Sequence, residues 1–140
     1  MNARNTHGFS VRPIGYVRSS LASREEAPRQ GNEGAPDAWL ELDEKILAGI
    51  DGIAVGQEII VLTWFHQARR DVLKLHPRGD PTLPLSGVFA TRSPDRPNPI
   101  GLHRVRVVEL ARNKIKVGPL EAIDGTPIVD MKPVLPVGDH

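Results

Sequence analysis

At 140 residues with no cysteine and a net charge of +1, the chain is long enough for one domain that buries roughly two-thirds of its unfolded surface, while disulfides, thiolate metal sites and a cysteine nucleophile are excluded. No apolar run approaches the roughly 20 residues of a membrane-crossing helix and no apolar signal core opens the chain, so a cytoplasmic location is expected. Thirteen prolines and thirteen glycines argue against a helical bundle and for strands joined by shaped turns.

Residues 1–8 have a polar, aperiodic start and are expected to be flexible, as are 137–140. Val11 to Ser19 reads as a first strand, with Gly15 at a bulge or a close approach. A polar passage from Ser20 to Asp37, interrupted by Pro28, Gly31, Gly34 and Pro36, predicts loop and contains Arg29 and Gln30. Trp39 to Leu42 alternates as a second strand, after which Asp43 can cap a short helix through Leu47 that Gly49 stops. Glu58 to His66 is a nearly continuous apolar and β-branched run, which predicts a strand covered on both faces and ending in the polar pair His66 and Gln67. Gly87 to Thr91 reads as a strand. His103 to Leu110 alternates Val105 and Val107 with Arg104 and Arg106, and Asn113 can turn it back into Lys114 to Val117 as a hairpin. Asp124-Gly125 predicts a second hairpin, between Leu120–Ile123 and Pro127–Pro133. About seven short strands with one or two short helices, and no βαβ rhythm, predict a mainly β fold: a small single-sheet β-barrel forming a single domain over 1–140.

Charge is concentrated in the middle. Residues 61–106 carry eight Lys/Arg against three Asp/Glu, whereas residues 1–60 carry six against nine. A localised basic section in a near-neutral chain points to one anionic ligand. Within it the segment GVFATRSPDRPNPIGL, Gly87 to Leu102, places Pro94, Pro97 and Pro99 among Arg92, Arg96 and Asn98. Each proline fixes its own φ and biases the preceding residue away from helix, so the segment is a stiff loop that aims its guanidinium groups. No glycine-rich dinucleotide turn, phosphate-binding loop, GxSxG elbow or histidine metal spacing is present. Polar clusters instead stand at strand ends: Arg29-Gln30, His66-Gln67, Arg92 to Asn98, and Asp124 to Thr126. Convergence of such loops on an apolar barrel is how a small-molecule site is built.

The central segment, followed by IDGTPIVDMKP, resembles the TrmO/TsaA-like (YaeB, UPF0066) family. So do PIGYVRS near the start, PRQG at Pro28 to Gly31, LAGIDG at Leu47 to Gly52 and IIVLTWFHQ at Ile59 to Gln67. The resemblance implies an S-adenosylmethionine-dependent β-barrel enzyme, no metal, and methylation of N6 of threonylcarbamoyl-adenosine beside the anticodon of a tRNA. It implies a homodimer with the cofactor near the subunit boundary. Carried over by position, the cofactor would contact Pro28, Arg29, Gln30, His66, Gln67, Arg92, Leu102, Ile123, Asp124, Gly125 and Thr126. Arg92 is expected on the methionine carboxylate, the Leu102 region and the Ile123 to Thr126 turn on adenine, and an amide oxygen of Gln30 or Gln67 near the sulfonium. Arg96, Asn98 and Lys132 are the expected substrate contacts, and Asp130 the candidate proton acceptor. Val134 replaces the aromatic that usually follows the Lys-Pro pair, and the sequence ends at His140 without the longer members' C-terminal extension. A second reading follows from that ending: a cofactor-binding module that acts as a sensor or methylates another small substrate.

Overall fold

The computed structural model describes residues 8–28 and 34–137. The remaining positions, Arg29 and Gln30 among them, lie outside the described residues, as do most of the two ends expected to be flexible. Eight strands follow in chain order: β1 (Gly15–Arg18), β2 (Ala38–Leu42), β3 (Glu58–Trp64), β4 (Lys74–Leu75), β5 (Ser86–Gly87), β6 (Ile100–Ala111), β7 (Lys114–Gly118) and β8 (Pro127–Pro133). Six of them close an antiparallel barrel in the order β1-β2-β7-β6-β3-β8, and β4 with β5 forms a separate two-stranded ribbon. Closure leaves no unpaired edge in the barrel wall.

Alternation in the sequence sets which side of the wall each residue takes. Along β6, Gly101, His103, Val105 and Val107 are buried while Leu102, Arg104 and Arg106 are exposed. Val17, Leu40, Ile59, Val61, Ile115, Val117 and Ile128 complete the interior from the other strands. Each such side chain contributes roughly 1.5–3 kcal/mol when removed from water. β1 comes so close to β2 that a Cβ on Gly15 would overlap the Glu41 carbonyl, which accounts for glycine there. Asp43 accepts from the Lys45 amide at 2.9 Å and caps a 3-10 segment over Glu44–Ile50, slightly longer than the predicted helix.

Three expectations need correction. β3 is not covered on both faces: Ile59, Val61 and Thr63 are buried, while Ile60, Leu62 and Trp64 on the outer side are only half-buried. Of Gly87 to Thr91 only Gly87 is in a strand, as the end of β5. Thr91 bonds back to the Val88 carbonyl through both its amide (3.1 Å) and its hydroxyl (2.8 Å), which coils Val88–Ala90 into a 3-10 turn. The β6–β7 hairpin forms as expected, with Asn113 in its turn and Arg112 in the left-handed region (φ 54°). Finally, Asp124-Gly125 is a tight turn but not a hairpin. The segment before it forms no strand; it tucks Leu120, Ala122 and Ile123 into the barrel end. β8 pairs instead with β1 and β3.

Candidate functional site

A cavity of about 840 Å³ opens where β3 ends and β6 and β8 begin. Its walls come from the 24–28 loop, the chain after β3, the stiff arginine loop and the segment that plugs the barrel end. The volume suits a ligand of drug or nucleoside size.

The arginine loop is held by directional polar bonds. Asp95 accepts from the Arg24 guanidinium at 3.1 Å and from the Arg69 amide at 2.8 Å, which ties three loops together. Arg24 also donates to the Gln67 carbonyl (3.2 Å), and the Arg96 amide to the Arg69 carbonyl (3.0 Å). Arg70 packs its guanidinium over Trp64 and donates to the Pro97 carbonyl at 2.7 Å. The loop therefore lies fixed against the end of β3.

Of the residues anticipated for the cofactor, Pro28, His66, Gln67, Arg92, Leu102, Ile123 and Thr126 all face this one cavity. Arg92 is exposed, and among the described residues no acceptor takes its guanidinium. Asp124 and Gly125 do not line the cavity; they hold the turn behind it. The amides of Asp124, Gly125 and Thr126 donate to the carbonyls of Leu21, Val17 and Ile123, so these donors are used within the fold. What the turn presents is the side chains of Ile123 and Thr126. Gly125 has φ 83°, a conformation that disfavours any other residue.

The anticipated substrate contacts separate. Arg96 lines the cavity, but its guanidinium donates to the Thr91 and Ser93 carbonyls, both at 3.0 Å. Asn98 accepts from Arg70 at 3.1 Å, outside the cavity. Lys132 pairs with Asp130 at 3.4 Å on β8. Asp130 opposes Leu62 across the ladder, where a register shift at Leu62/Thr63 leaves it beside an outward-facing residue and away from the cavity lining.

One constellation was missed by sequence reasoning. His103 is buried, with Nε2 2.7 Å from the buried Thr63 hydroxyl and Nδ1 hydrogen-bonded to the Glu121 carboxylate. The Phe65 ring stands edge-on to the imidazole at 5.8 Å. Residues 63, 103 and 121 have no sequence spacing in common; the β3–β6 ladder sets Thr63 beside His103, and the segment that plugs the barrel end brings Glu121 to them. The only available signal was a polar residue at inward positions of β3 and β6, Thr63 and His103, which an alternating strand reserves for the core.

Small antiparallel barrels that build a basic ligand cavity from loops at one end are the class defined by this fold and site. The chain belongs to the family described as the tRNA-methyltransferase O N-terminal domain, whose model matches residues 16–140. It is 48% identical over 97 residues to a probable S-adenosyl-L-methionine-binding protein of Methanocaldococcus jannaschii, covering 66% of this chain and 77% of that one. An S-adenosyl-L-methionine-binding protein of Archaeoglobus fulgidus is 40% identical over 126 residues, 90% of this chain and 89% of its own. Among solved structures, TrmO from Pseudomonas aeruginosa superposes with a TM-score of 0.73 at 32% identity, covering 95% of this chain and 58% of that one. A second TrmO structure gives 0.75 at 33% identity, with 95% and 60% covered. The chain thus spans about three-fifths of the length of the solved TrmO chains.

Proposed function

We propose that this chain binds S-adenosylmethionine in the cavity and transfers its methyl group to N6 of a modified adenosine, threonylcarbamoyl-adenosine, beside a tRNA anticodon. The observation that carries the reading is the convergence of His66, Gln67, Arg92, Leu102, Ile123 and Thr126 on one cavity of about 840 Å³ in a chain of the tRNA-methyltransferase O family. The donor set fits the cofactor. Arg92 offers a guanidinium with no acceptor among the described residues for a carboxylate, Leu102 and Ile123 offer apolar surface for a base, and the Gln67 side-chain amide offers an uncharged oxygen for a cation. When bound, the cofactor supplies an electrophilic methyl on a sulfonium. The protein contributes position: a fixed loop and a fixed turn hold both reactants in line, which is the main requirement of such a transfer.

Ile100, Leu102, Leu73 and Phe89 are 48–76% exposed and lie at or near the cavity, which supports a second copy of the chain covering it. Light scattering would report a dimer, and a monomer at assay concentration would remove that part of the reading. The test of the function is incorporation of label from the cofactor into total tRNA of a strain lacking the endogenous activity. Incorporation is expected in an adenosine; none in any tRNA would refute the assignment. A second reading, a cofactor-binding module without tRNA activity, is favoured by the relatives named only as binding proteins, which this chain matches over 66–90% of its length. Cofactor binding without salt-dependent tRNA binding would select it.

A further inference from the structure

We propose that Glu121 is the proton acceptor of the methyl transfer, with His103 and Thr63 as the residues that position it; this rests on the methyltransferase reading above. A nitrogen that still carries hydrogen must lose a proton as it takes a methyl group, so a base within reach of the cavity is required. Among the described residues, two carboxylates line the cavity, Asp95 and Glu121. Asp95 has both oxygens engaged, one by Arg24 and one by the Arg69 amide. Glu121 has one oxygen on His103 Nδ1, and its other oxygen has no partner among the described residues.

The surroundings are built to hold that carboxylate still. Glu121 sits between Leu120 and Ala122, both buried, so its backbone is anchored on each side. Its side chain is 14% exposed, on the cavity side. Behind it, the Thr63 hydroxyl lies 2.7 Å from Nε2, and a hydroxyl that donates there leaves the Nδ1 hydrogen for the carboxylate. Gly101 leaves the room for this chain of bonds: a Cβ there would overlap the Thr63 hydroxyl, the Phe65 ring and His103 Nε2. A histidine that served only to fill the core would need neither a cavity-facing carboxylate nor a bare glycine beside it.

In the step itself, the N–H proton passes to the Glu121 oxygen that His103 does not hold as the nitrogen lone pair forms the new N–CH3 bond. The S–CH3 bond breaks with its electron pair staying on sulfur. A neutral N–H group, a sulfonium and a carboxylate thereby become a neutral methylated nitrogen, a neutral thioether and a carboxylic acid, so charge and protons balance.

Glu121→Gln keeps the size and the acceptor for His103 but cannot take the proton. We expect it to bind S-adenosylhomocysteine within about threefold of wild type by calorimetry, with an unchanged melting temperature. Its turnover on tRNA should fall by about 10²–10⁴-fold at unchanged KM, the usual contribution of a general base. His103→Gln should lower turnover by roughly 10- to 100-fold with KM retained, because the base is present but misplaced. Wild-type turnover in Glu121→Gln overturns the assignment. So does a tenfold loss of S-adenosylhomocysteine affinity with normal turnover at saturation, which would make Glu121 a cofactor anchor. If wild-type protein binds S-adenosylhomocysteine yet methylates no tRNA, the function proposed above falls and the base goes with it. An active wild type with an equally active Gln variant refutes the base alone.

Discussion

In the barrel wall Val17, Leu40, Ile115 and Ile128 are fully removed from solvent, whereas across residues 66–99 only Val88 and Pro99 are buried. The wall is held by apolar burial and closed ladders. The loop layer is held by guanidinium groups bonded to carbonyls and to Asp95. Burial is non-directional and additive over many side chains, so it fixes global stability. Bonds in partly wet surroundings are each worth only about 0.5–1.5 kcal/mol net, yet they are directional, so they fix shape. Stability and ligand recognition should therefore respond to different residues.

The largest effect should come from the wall. Leu40→Ala empties a fully buried position and should lower the unfolding free energy by about 2–5 kcal/mol in urea titration. A loss below about 1 kcal/mol would mean that the barrel end collapses into the space and that the interior is less closely packed than described.

Next comes the cavity. Arg92 is exposed and has no acceptor among the described residues. Arg92→Ala should weaken S-adenosylhomocysteine binding by about 1.5–3 kcal/mol, the scale of a hydrogen bond to a charged group, while the melting temperature stays put. Unchanged affinity would remove Arg92 from the site. Asp95→Ala probes the loop layer itself. It should speed amide exchange at Arg69 and Arg96 by the equivalent of about 1–2 kcal/mol of local opening, leaving the amides of β3 and β6 protected. Loss of protection in β3 as well would show that the two regions unfold as one.

Those two regions were not equally legible in the sequence. The wall is written in local alternation: Val105 and Val107 against Arg104 and Arg106, or the Asp43 cap before Glu44, can be read within a few residues. Where the reading of the wall failed, the deciding contact was distant in sequence. Whether the outer face of β3 is covered depends on what packs there, not on Ile60 or Leu62. Asp124-Gly125 turns as expected, but β8 finds its partners in β1 and β3. In the site, the stiff arginine loop was visible because prolines act on their neighbours. The grouping of Thr63, His103 and Glu121 was not, since it takes the β3–β6 ladder and the segment plugging the barrel end to bring the three together.

The smallest effect concerns acid, and it separates the regions by charge. The Arg104 guanidinium, bonded to Glu58 across the β3–β6 ladder, holds that carboxyl below its usual range. Asp71, in the loop layer, is held low in the same way by Arg69. A carboxyl with a depressed folded pKa leaves the folded state binding fewer protons than the unfolded one. Its stabilisation is thus present above the ordinary carboxylate range and is lost as pH falls through that range to the lower folded value. Both groups are exposed, so the effects are slight and screened by salt. Glu58 belongs to the wall that unfolds globally, so Glu58→Gln should flatten the acid slope of the melting temperature. Asp71→Asn sits in a layer able to open on its own and should leave that slope unchanged. Equal flattening by both variants, measured from neutral pH down through the carboxylate range, would show that the loop layer melts with the barrel.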